Sequence, residues 1–188
     1  MHTPAAGSDR SAKTDRLRQP VVIDDFCSQN LVSKCGTTWR AVSDRVMGGI
    51  SQATVRPEVI GTVSCLRLSG NVQLENNGGF VQTALDLDPT GAFVDASRYS
   101  GLRLTVRGNG ELYGVHLRTR DTVRSWQSYR APFTAGIEWR SIDLPFNEFT
   151  PHRLESPMDI SRLKRVGLVA IGREFCADFS VSELALYP

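Results

Sequence analysis

Residues 101–107 read Gly-Leu-Arg-Leu-Thr-Val-Arg, and this strict alternation decides the fold class. In an extended strand the two leucines and the valine fall on one face, and the polar side chains fall on the other. The triplet Gly-Asn-Gly follows at residues 108–110 and tolerates positive φ, after which a second alternating strand covers residues 111–119. The pattern predicts a β-hairpin.

Short alternating segments separated by turn residues continue along the chain. A second predicted hairpin spans residues 65–87, with the turn Asn-Asn-Gly-Gly at residues 76–79. Residues 159–165 favour one short helix with Asp159 at the N-cap. Further strands are predicted at residues 21–26, 126–132, 140–144, 165–171 and 179–187. So many short strands predict an all-β sandwich or barrel whose last strand pairs near the first.

The length and charge of the chain limit its organisation. The 188 residues fit one domain over residues 21–188, preceded by a polar tail at residues 1–20 that we expect to be disordered. The net charge of +2 is too small for nucleic-acid binding driven by bulk charge. No apolar run approaches the ~20 residues of a membrane span.

The tail also bears on the cellular compartment. It has no apolar segment of the secretory type. Three arginines, Arg10, Arg16 and Arg18, fit a mitochondrial presequence, whereas Asp9 and Asp15 do not. The prediction is therefore a cytoplasmic protein, with the mitochondrion as the alternative in a eukaryote.

Cysteines and acidic residues give little support for a cofactor. Cys27, Cys35, Cys65 and Cys176 have neither C-x-x-C nor zinc spacing, so we expect reduced and mostly buried thiols. Cys27 and Cys35 could pair in an oxidising compartment, but the sequence does not indicate one. Asp24 and Asp25 were considered for Ca²⁺, but two carboxylates fall short of about six to eight oxygen ligands. No phosphate loop or dinucleotide fingerprint occurs, so neither a metal nor a cofactor is predicted.

Two segments with paired glycines carry a family resemblance. Residues 39–51 read Trp-Arg-Ala-Val-Ser-Asp-Arg-Val-Met-Gly-Gly-Ile-Ser. Residues 69–82 read Ser-Gly-Asn-Val-Gln-Leu-Glu-Asn-Asn-Gly-Gly-Phe-Val-Gln. Together they resemble the paired motif of the complex I intermediate-associated protein 30 family. Further similar stretches lie at residues 117–119, 139–151, 166–168 and 179–181.

The resemblance covers residues 21–188 and implies both a fold and a role. The implied fold is a jelly-roll β-sandwich of the galactose-binding-like type, akin to carbohydrate-binding modules, with at most one or two short helices. The implied role is that of an assembly factor, because eukaryotic members help to build respiratory complex I. The expected partner is thus a protein, such as a subunit or assembly intermediate of that complex. The short chain resembles a bacterial or stand-alone member.

The two motifs supply the first group of candidate binding residues: Asp44, Arg45, Met47, Asn71, Glu75, Asn76 and Asn77. A loop with bare backbone and an adaptable methionine suits contact with a partner. Structural explanations compete with this one. The glycines and asparagines suit turns, Asp44 and Arg45 could form an ion pair or a turn cap, and Glu75 could bond back to loop amides.

A second group of candidates comprises His116, Arg118, Trp126 and Arg130. His116 and Arg118 lie two residues apart, so they share one face of a predicted strand. If the adjacent strand brings Trp126 and Arg130 to that face, the result is an aromatic and polar patch suited to a sugar or a protein. The alternative is an ordinary solvated outer face.

Three functional hypotheses follow. The leading one is a non-enzymatic binding module that contacts a protein partner. The second is a lectin-like module that binds a saccharide on the jelly-roll face. The third is an enzyme whose catalytic residues are brought together only by the fold. The sequence itself shows no Gly-x-Ser-x-Gly elbow and no evident carboxylate pair, and His152 lies in a predicted loop.

Overall fold

The computed structural model describes residues 19–188, so the predicted tail lies almost wholly outside the described residues. Between residues 19 and 188 the chain forms twelve β-strands and four 3-10 turns, with no α-helix. The strands are β1 (Val21–Asp24), β2 (Arg40–Ser43), β3 (Gln52–Ile60), β4 (Val63–Val72), β5 (Phe80–Asp86), β6 (Gly101–Gly108), β7 (Leu112–Thr119), β8 (Ser128–Thr134), β9 (Arg140–Pro145), β10 (Thr150–His152), β11 (Leu163–Ile171) and β12 (Phe175–Tyr187). The 3-10 turns are Asp44–Met47, Glu75–Asn77, Phe146–Glu148 and Ile160–Arg162.

The strands form two six-stranded antiparallel sheets. Sheet I has the order β3-β4-β12-β6-β9, and β1 also pairs with β12. Sheet II has the order β10-β8-β7-β11-β5-β2. Their inner faces share one apolar core, so the predicted all-β sandwich is confirmed.

The core is filled by alternate residues of the strands in both sheets. Tyr113 of sheet II packs on Phe179 of sheet I with ring centroids 4.5 Å apart, and Phe133 lies 5.8 Å from the same phenylalanine. Leu104 of sheet I and Leu117 of sheet II are also fully buried in this core. Each large apolar side chain buried in this way contributes about 1.5–3 kcal/mol.

Both hairpins predicted from the sequence are wrong. β6 pairs with β12 and β9 in sheet I, whereas the next strand, β7, pairs with β8 and β11 in sheet II. In the same way, β4 lies in sheet I and β5 in sheet II. Alternation reports which side of a strand faces the core, but not which strand is its neighbour. The Gly-rich turns therefore cross between layers about 10 Å apart instead of folding strands back on themselves.

A real hairpin lies where none was predicted. β3 and β4 pair from Gln52 opposite Asn71 to Ile60 opposite Val63. Pro57 lies within β3, which weakens the strand signal, but β3 is an edge strand, where proline is tolerated.

Other predictions have mixed outcomes. The terminal strands do pair, with Val21 opposite Leu186. The predicted strand at residues 126–132 begins later, at Ser128. The predicted helix is only a 3-10 turn, although Asp159 caps it by accepting a hydrogen bond from the Ser161 N–H at 3.0 Å.

The four cysteines are free thiols, but the prediction that most are buried is wrong. Cys65 is buried and Cys35 half-buried, whereas Cys27 lies in the turn after β1 and Cys176 on the outer side of β12, both exposed. In the part of the chain that the structure describes, no helix has the length and apolar character needed to cross a membrane.

Candidate functional site

The carboxylate of Asp44 joins the two glycine motifs. The Ser51 N–H donates to Oδ1 of Asp44 at 3.0 Å, and the Gly79 N–H donates to Oδ2 at 2.6 Å. The Ser51 hydroxyl also donates to Oδ2, and the Phe80 N–H does so at 3.3 Å. The side chain is completely buried, with a relative exposure of 0%. The Asp44 carboxylate therefore holds together two segments that are separate in sequence, residues 39–51 and 69–82.

The glycines beside Asp44 give the carboxylate its space. A Cβ atom on Gly49 would overlap the carboxyl group of Asp44, and one on Gly78 would lie 2.5 Å from Oδ2. Gly79 has a φ of 125°, which L-residues rarely adopt, and this conformation directs its N–H at the carboxylate. The paired glycines thus serve the backbone geometry around a buried acid.

The hydrogen bonds at Asp44 also control its charge. Burial by itself raises the pKa of this carboxyl, but hydrogen bonds from Ser51, Gly79 and Phe80 outweigh burial and hold the pKa below its ordinary value. Asp44 thus binds a backbone amide at the end of its own loop and two at the start of β5. It forms no ion pair with Arg45, which is exposed and has no carboxylate within 4.0 Å among residues 19–188.

Five loops meet at the end of the sandwich that Asp44 organises. We call this end the motif end, and it consists of residues 44–51, 73–79, 109–111, 135–139 and 172–174, which the strand registers place together. It carries several exposed apolar side chains at or beside these loops: Val46, Met47, Ile50, Leu74, Leu112, Ile137 and Ile171. Val46 is 73% exposed, Met47 59% and Ile137 70%.

Hydrogen bonds and one ion pair connect these loops. The Gly172 N–H donates to the Gly79 carbonyl at 3.1 Å, and Arg173 forms an ion pair with Glu111. The Gly110 N–H donates to the Ala135 carbonyl at 2.8 Å. The apolar side chains are therefore displayed on a braced surface and not on independent loops.

The remaining motif candidates surround this surface. Asn71 is exposed on β4, and Glu75 and Asn76 are exposed in the 3-10 turn that precedes Gly78. The backbone of Asn77 completes that turn, and Asn76 has a φ of 56°. A polar groove of about 310 Å³ lies beside Arg45, between the edges of the two sheets.

The second group of candidates lies on the outer face of sheet II. His116 and Arg130 are directly opposite each other on β7 and β8, and Arg118 follows on the same face. Trp126 is 53% exposed but lies in the connection before β8. The prediction that Trp126 and Arg130 share one face of a strand is therefore wrong.

One row of outward positions crosses all six strands of sheet II. This cross-strand row consists of Thr150, Arg130, His116, Gly167, Ala84 and Arg40. Ala84 and the neighbouring Val169 are 2% and 1% exposed although they face away from the core, because longer side chains cover them. Gly167 is covered in the same way, with the Gln82 side chain beside it.

His116 stays neutral on this face. Burial, and then the charges of Arg130 and His152, lower the pKa of His116 to about 3. Neither His116 nor His152 forms a hydrogen bond to a serine, cysteine or carboxylate among residues 19–188. Neither histidine is therefore placed as the base of a nucleophile.

The described ranges contain no group of three His, Cys, Asp or Glu side chains arranged to hold a metal ion. The two acids considered for Ca²⁺ have other partners. Asp24 accepts hydrogen bonds from the Phe26 N–H at 3.1 Å and the Trp39 Nε1–H at 2.8 Å, while Asp25 pairs with Lys34 at 2.5 Å.

The architecture places the chain in the class of β-sandwiches typified by carbohydrate-binding modules. Three solved structures are similar over nearly the whole chain. The family 11 module of the cellulase Lic26A-Cel5E from Clostridium thermocellum has a TM-score of 0.67 at 14% identity, covering 90% of this chain and 95% of that one. The same family's module in complex with a β-1,3-1,4-mixed-linked tetrasaccharide gives 0.66 at 15%, covering 89% and 95%. A family 30 module from a Clostridium thermocellum cellulase gives 0.63 at 15%, covering 89% and 96%.

Residues 25–182 match the model of the Complex I intermediate-associated protein 30 (CIA30) family, and the chain belongs to that family. The resemblance seen in the two glycine motifs is thereby confirmed. No curated protein matches the chain in sequence.

Sequence reasoning missed two features of this site. It did not pair Trp39 with Asp24, which are 15 residues apart in sequence. It also did not group Leu112, Ile137 and Ile171 with the motif loops. Each lies at a strand end or in a turn, and only the strand order brings them to one end.

Replacing Asp44 tests the link between the motifs. Asp44→Asn turns an amide NH₂ toward N–H donors, so we expect the free energy of unfolding to fall by about 1–3 kcal/mol in urea titrations. The matched control is Asp88→Asn, because Asp88 also accepts amide hydrogen bonds but at an exposed turn. An equal loss in both variants would contradict a special role for Asp44.

The low pKa of His116 has a defined effect on stability. Between its folded pKa of about 3 and the ordinary value of 6.5, the unfolded chain binds a proton that the folded chain does not. Stability therefore falls as the pH drops from 6.5 toward 3, and His116→Gln should reduce this slope. Proton NMR should show the His116 ring unprotonated down to about pH 5. Protonation near 6.5 would overturn the assignment.

Proposed function

We propose that the chain is a non-enzymatic binding module that contacts a protein partner through the motif end. The observation that carries the proposal is the braced set of exposed apolar side chains there, above all Val46, Met47 and Leu74. Val46, Met47 and Leu74 lie in the two loops that Asp44 joins, and exposed apolar side chains grouped in this way are typical of a protein interface. The rim is polar, with Arg45 and Glu75 exposed beside it, as in ordinary protein interfaces.

The partner in this proposal is a subunit or assembly intermediate of respiratory complex I. Membership of the CIA30 family supports this choice, because the family is named for association with complex I intermediates. The two sequence motifs that characterise the resemblance also build the contact surface. An exposed methionine on this surface suits an assembly factor, because the flexible thioether adapts to a partner surface that is still maturing.

Placing a charge on the apolar surface tests the proposed contact. Met47→Glu should reduce co-purified complex I subunits by about tenfold or more, because a charge would be buried against the partner. The readout is mass spectrometry after affinity purification from native cells. The control, Val123→Glu, carries the same charge on a 77% exposed residue between β7 and β8, at the opposite end.

Three outcomes of that purification are decisive. Equal recovery with both variants would place the contact elsewhere, and failure of the unaltered protein to recover any complex I subunit would remove the proposed partner. Arg45→Glu should weaken recovery to a smaller degree, since a rim charge mainly alters association rate. Unfolding of Arg45→Glu would instead make Arg45 structural.

A second candidate function is saccharide binding on the outer face of sheet II. The paired His116 and Arg130 favour it, together with similarity to a module in complex with a tetrasaccharide. If a sugar chain binds there, Arg130→Ala should remove hydrogen-bond donors and weaken binding about tenfold, while Thr105→Val on the outer side of sheet I should not. The measurement is calorimetry with mixed-linked β-glucan oligosaccharides. Absence of heat with the unaltered protein would exclude these sugars.

A further inference from the structure

An open groove of about 790 Å³ lies at the end of the sandwich opposite the motif end. It is located where β9 ends at Pro145 and β10 begins at Thr150, and these are edge strands of sheet I and sheet II. We call it the edge groove. Its volume falls in the range of about 300–1,000 Å³ that is typical of ligand pockets.

Apolar side chains form the floor of the edge groove. Phe146 and Phe149 are buried and pack on each other with ring centroids 6.3 Å apart. Tyr99, Met158 and Ile160 line the groove beside them and are only half-buried. The floor therefore leaves apolar surface in contact with water, and a ligand that covered this surface would gain hydrophobic free energy.

Hydrogen bonds hold the walls of the groove in place. The Tyr129 hydroxyl donates to the Ser156 carbonyl at 2.9 Å, which fixes the chain segment that carries Met158. On the other wall, the Phe146 N–H donates to the Ser100 carbonyl at 2.9 Å. The edge groove is therefore formed before any ligand binds, which lowers the entropic cost of binding.

Neutral hydrogen-bonding groups line the groove above the apolar floor. Tyr99, Ser100 and Asn147 line it, and their side chains form no hydrogen bond among residues 19–188. Two hydroxyls and one amide are thus available as donors to a ligand, and each requires an acceptor when a ligand displaces its water.

The charges around the groove are negative. Glu155 lines it, and the exposed Glu148 lies in the turn that forms one wall. Neither has an ion pair in the part of the chain that the structure describes. Arg153 does not line the groove and acts on the face of sheet II, where burial and then the charges of Arg130 and Arg153 lower the pKa of His152. A ligand with a basic group would complement this charge.

The backbone around the groove disfavours the two regular forms of a bound peptide. An added β-strand needs N–H donors from the sheet edge, but Pro145 and Pro151, which line the groove in β9 and β10, have none. An α-helix binds its own carbonyls internally, so it would leave Tyr99, Ser100 and Asn147 without acceptors. A polyproline II helix has no internal hydrogen bonds, so its carbonyls can accept from these three side chains.

We propose that the edge groove binds a proline-rich peptide segment in the polyproline II conformation, with a basic residue of the segment paired to Glu155. Grooves lined by aromatic side chains bind such segments because the proline rings pack on the aromatic faces. Proline also fixes the peptide conformation in advance, so little entropy is lost on binding. The groove and the motif end are at opposite ends, so this inference goes beyond the proposed function, and either one can fail without the other.

The test uses purified protein and synthetic peptides. A labelled peptide with the sequence Arg-Pro-Pro-Ala-Pro-Pro-Ala-Pro-Pro makes about three turns of the polyproline II helix. Fluorescence anisotropy would compare it with a peptide that has Glu in place of Arg and with one that has Ser in place of every Pro. We expect the first peptide to bind, and each substitution to weaken binding about threefold or more, through lost charge pairing or lost preorganisation.

Variants of the protein locate the site. Glu155→Gln should weaken binding of the Arg peptide about threefold to fivefold and remove the preference for Arg over Glu. The matched control is Glu138→Gln, because Glu138 is also an exposed glutamate but follows Ile137 at the motif end, farther away than the ~10 Å over which exposed charges interact. It should change affinity less than about twofold. Ser100→Arg places a long cation in the groove and should weaken binding about tenfold or more.

Four outcomes would overturn the proposal. They are no change in anisotropy up to about 1 mM of the Arg peptide, equal binding of the serine peptide, equal weakening by both glutamate variants, and tighter binding of an amphipathic helical peptide. Circular dichroism checks that each variant folds. If Ser100→Arg does not fold, the comparison of Glu155→Gln with Glu138→Gln decides, because both glutamates are exposed.

Discussion

The carboxylate of Asp44 is the constraint on which the end of this sandwich depends. A buried charge is tolerated only when hydrogen bonds replace its water, and here three backbone amides and the Ser51 hydroxyl do so from both glycine motifs. Ser51, one of these donors, also bonds to Gln73 at the end of β4. One acid therefore ties the exit of β2 in sheet II to the start of β3 and the end of β4 in sheet I.

The sequence predicted the fold class and the importance of the two motifs, but not how strands are paired. Residues 101–107 form a strand with the predicted inward face, yet Gly108 leads across to the other sheet. A period of two is the same in a hairpin and in a crossing, so pairing depends on distant strands that local pattern cannot identify. The sequence motif made Asp44 a candidate binding residue. Its structural role depends on the hydrogen bond from Gly79, which is 35 residues away in sequence.

The motif end and the face of sheet II offer different kinds of contact. The motif end offers apolar area, which favours a tight and long-lived interface, while the face of sheet II offers positive charge, which favours fast and salt-sensitive encounter. On sheet I the charges balance, and three of its arginines, Arg56, Arg67 and Arg103, form ion pairs.

The order of synthesis matters for this sandwich. β12 is the last of the twelve strands in chain order, yet it pairs with β1, β4 and β6 at the centre of sheet I. During synthesis, the edges of β1, β4 and β6 that pair with β12 remain unpaired until β12 has been translated. Such long-range closure slows folding and exposes apolar strand edges to aggregation. Sheet I can therefore complete its hydrogen bonding only after β12 has been translated.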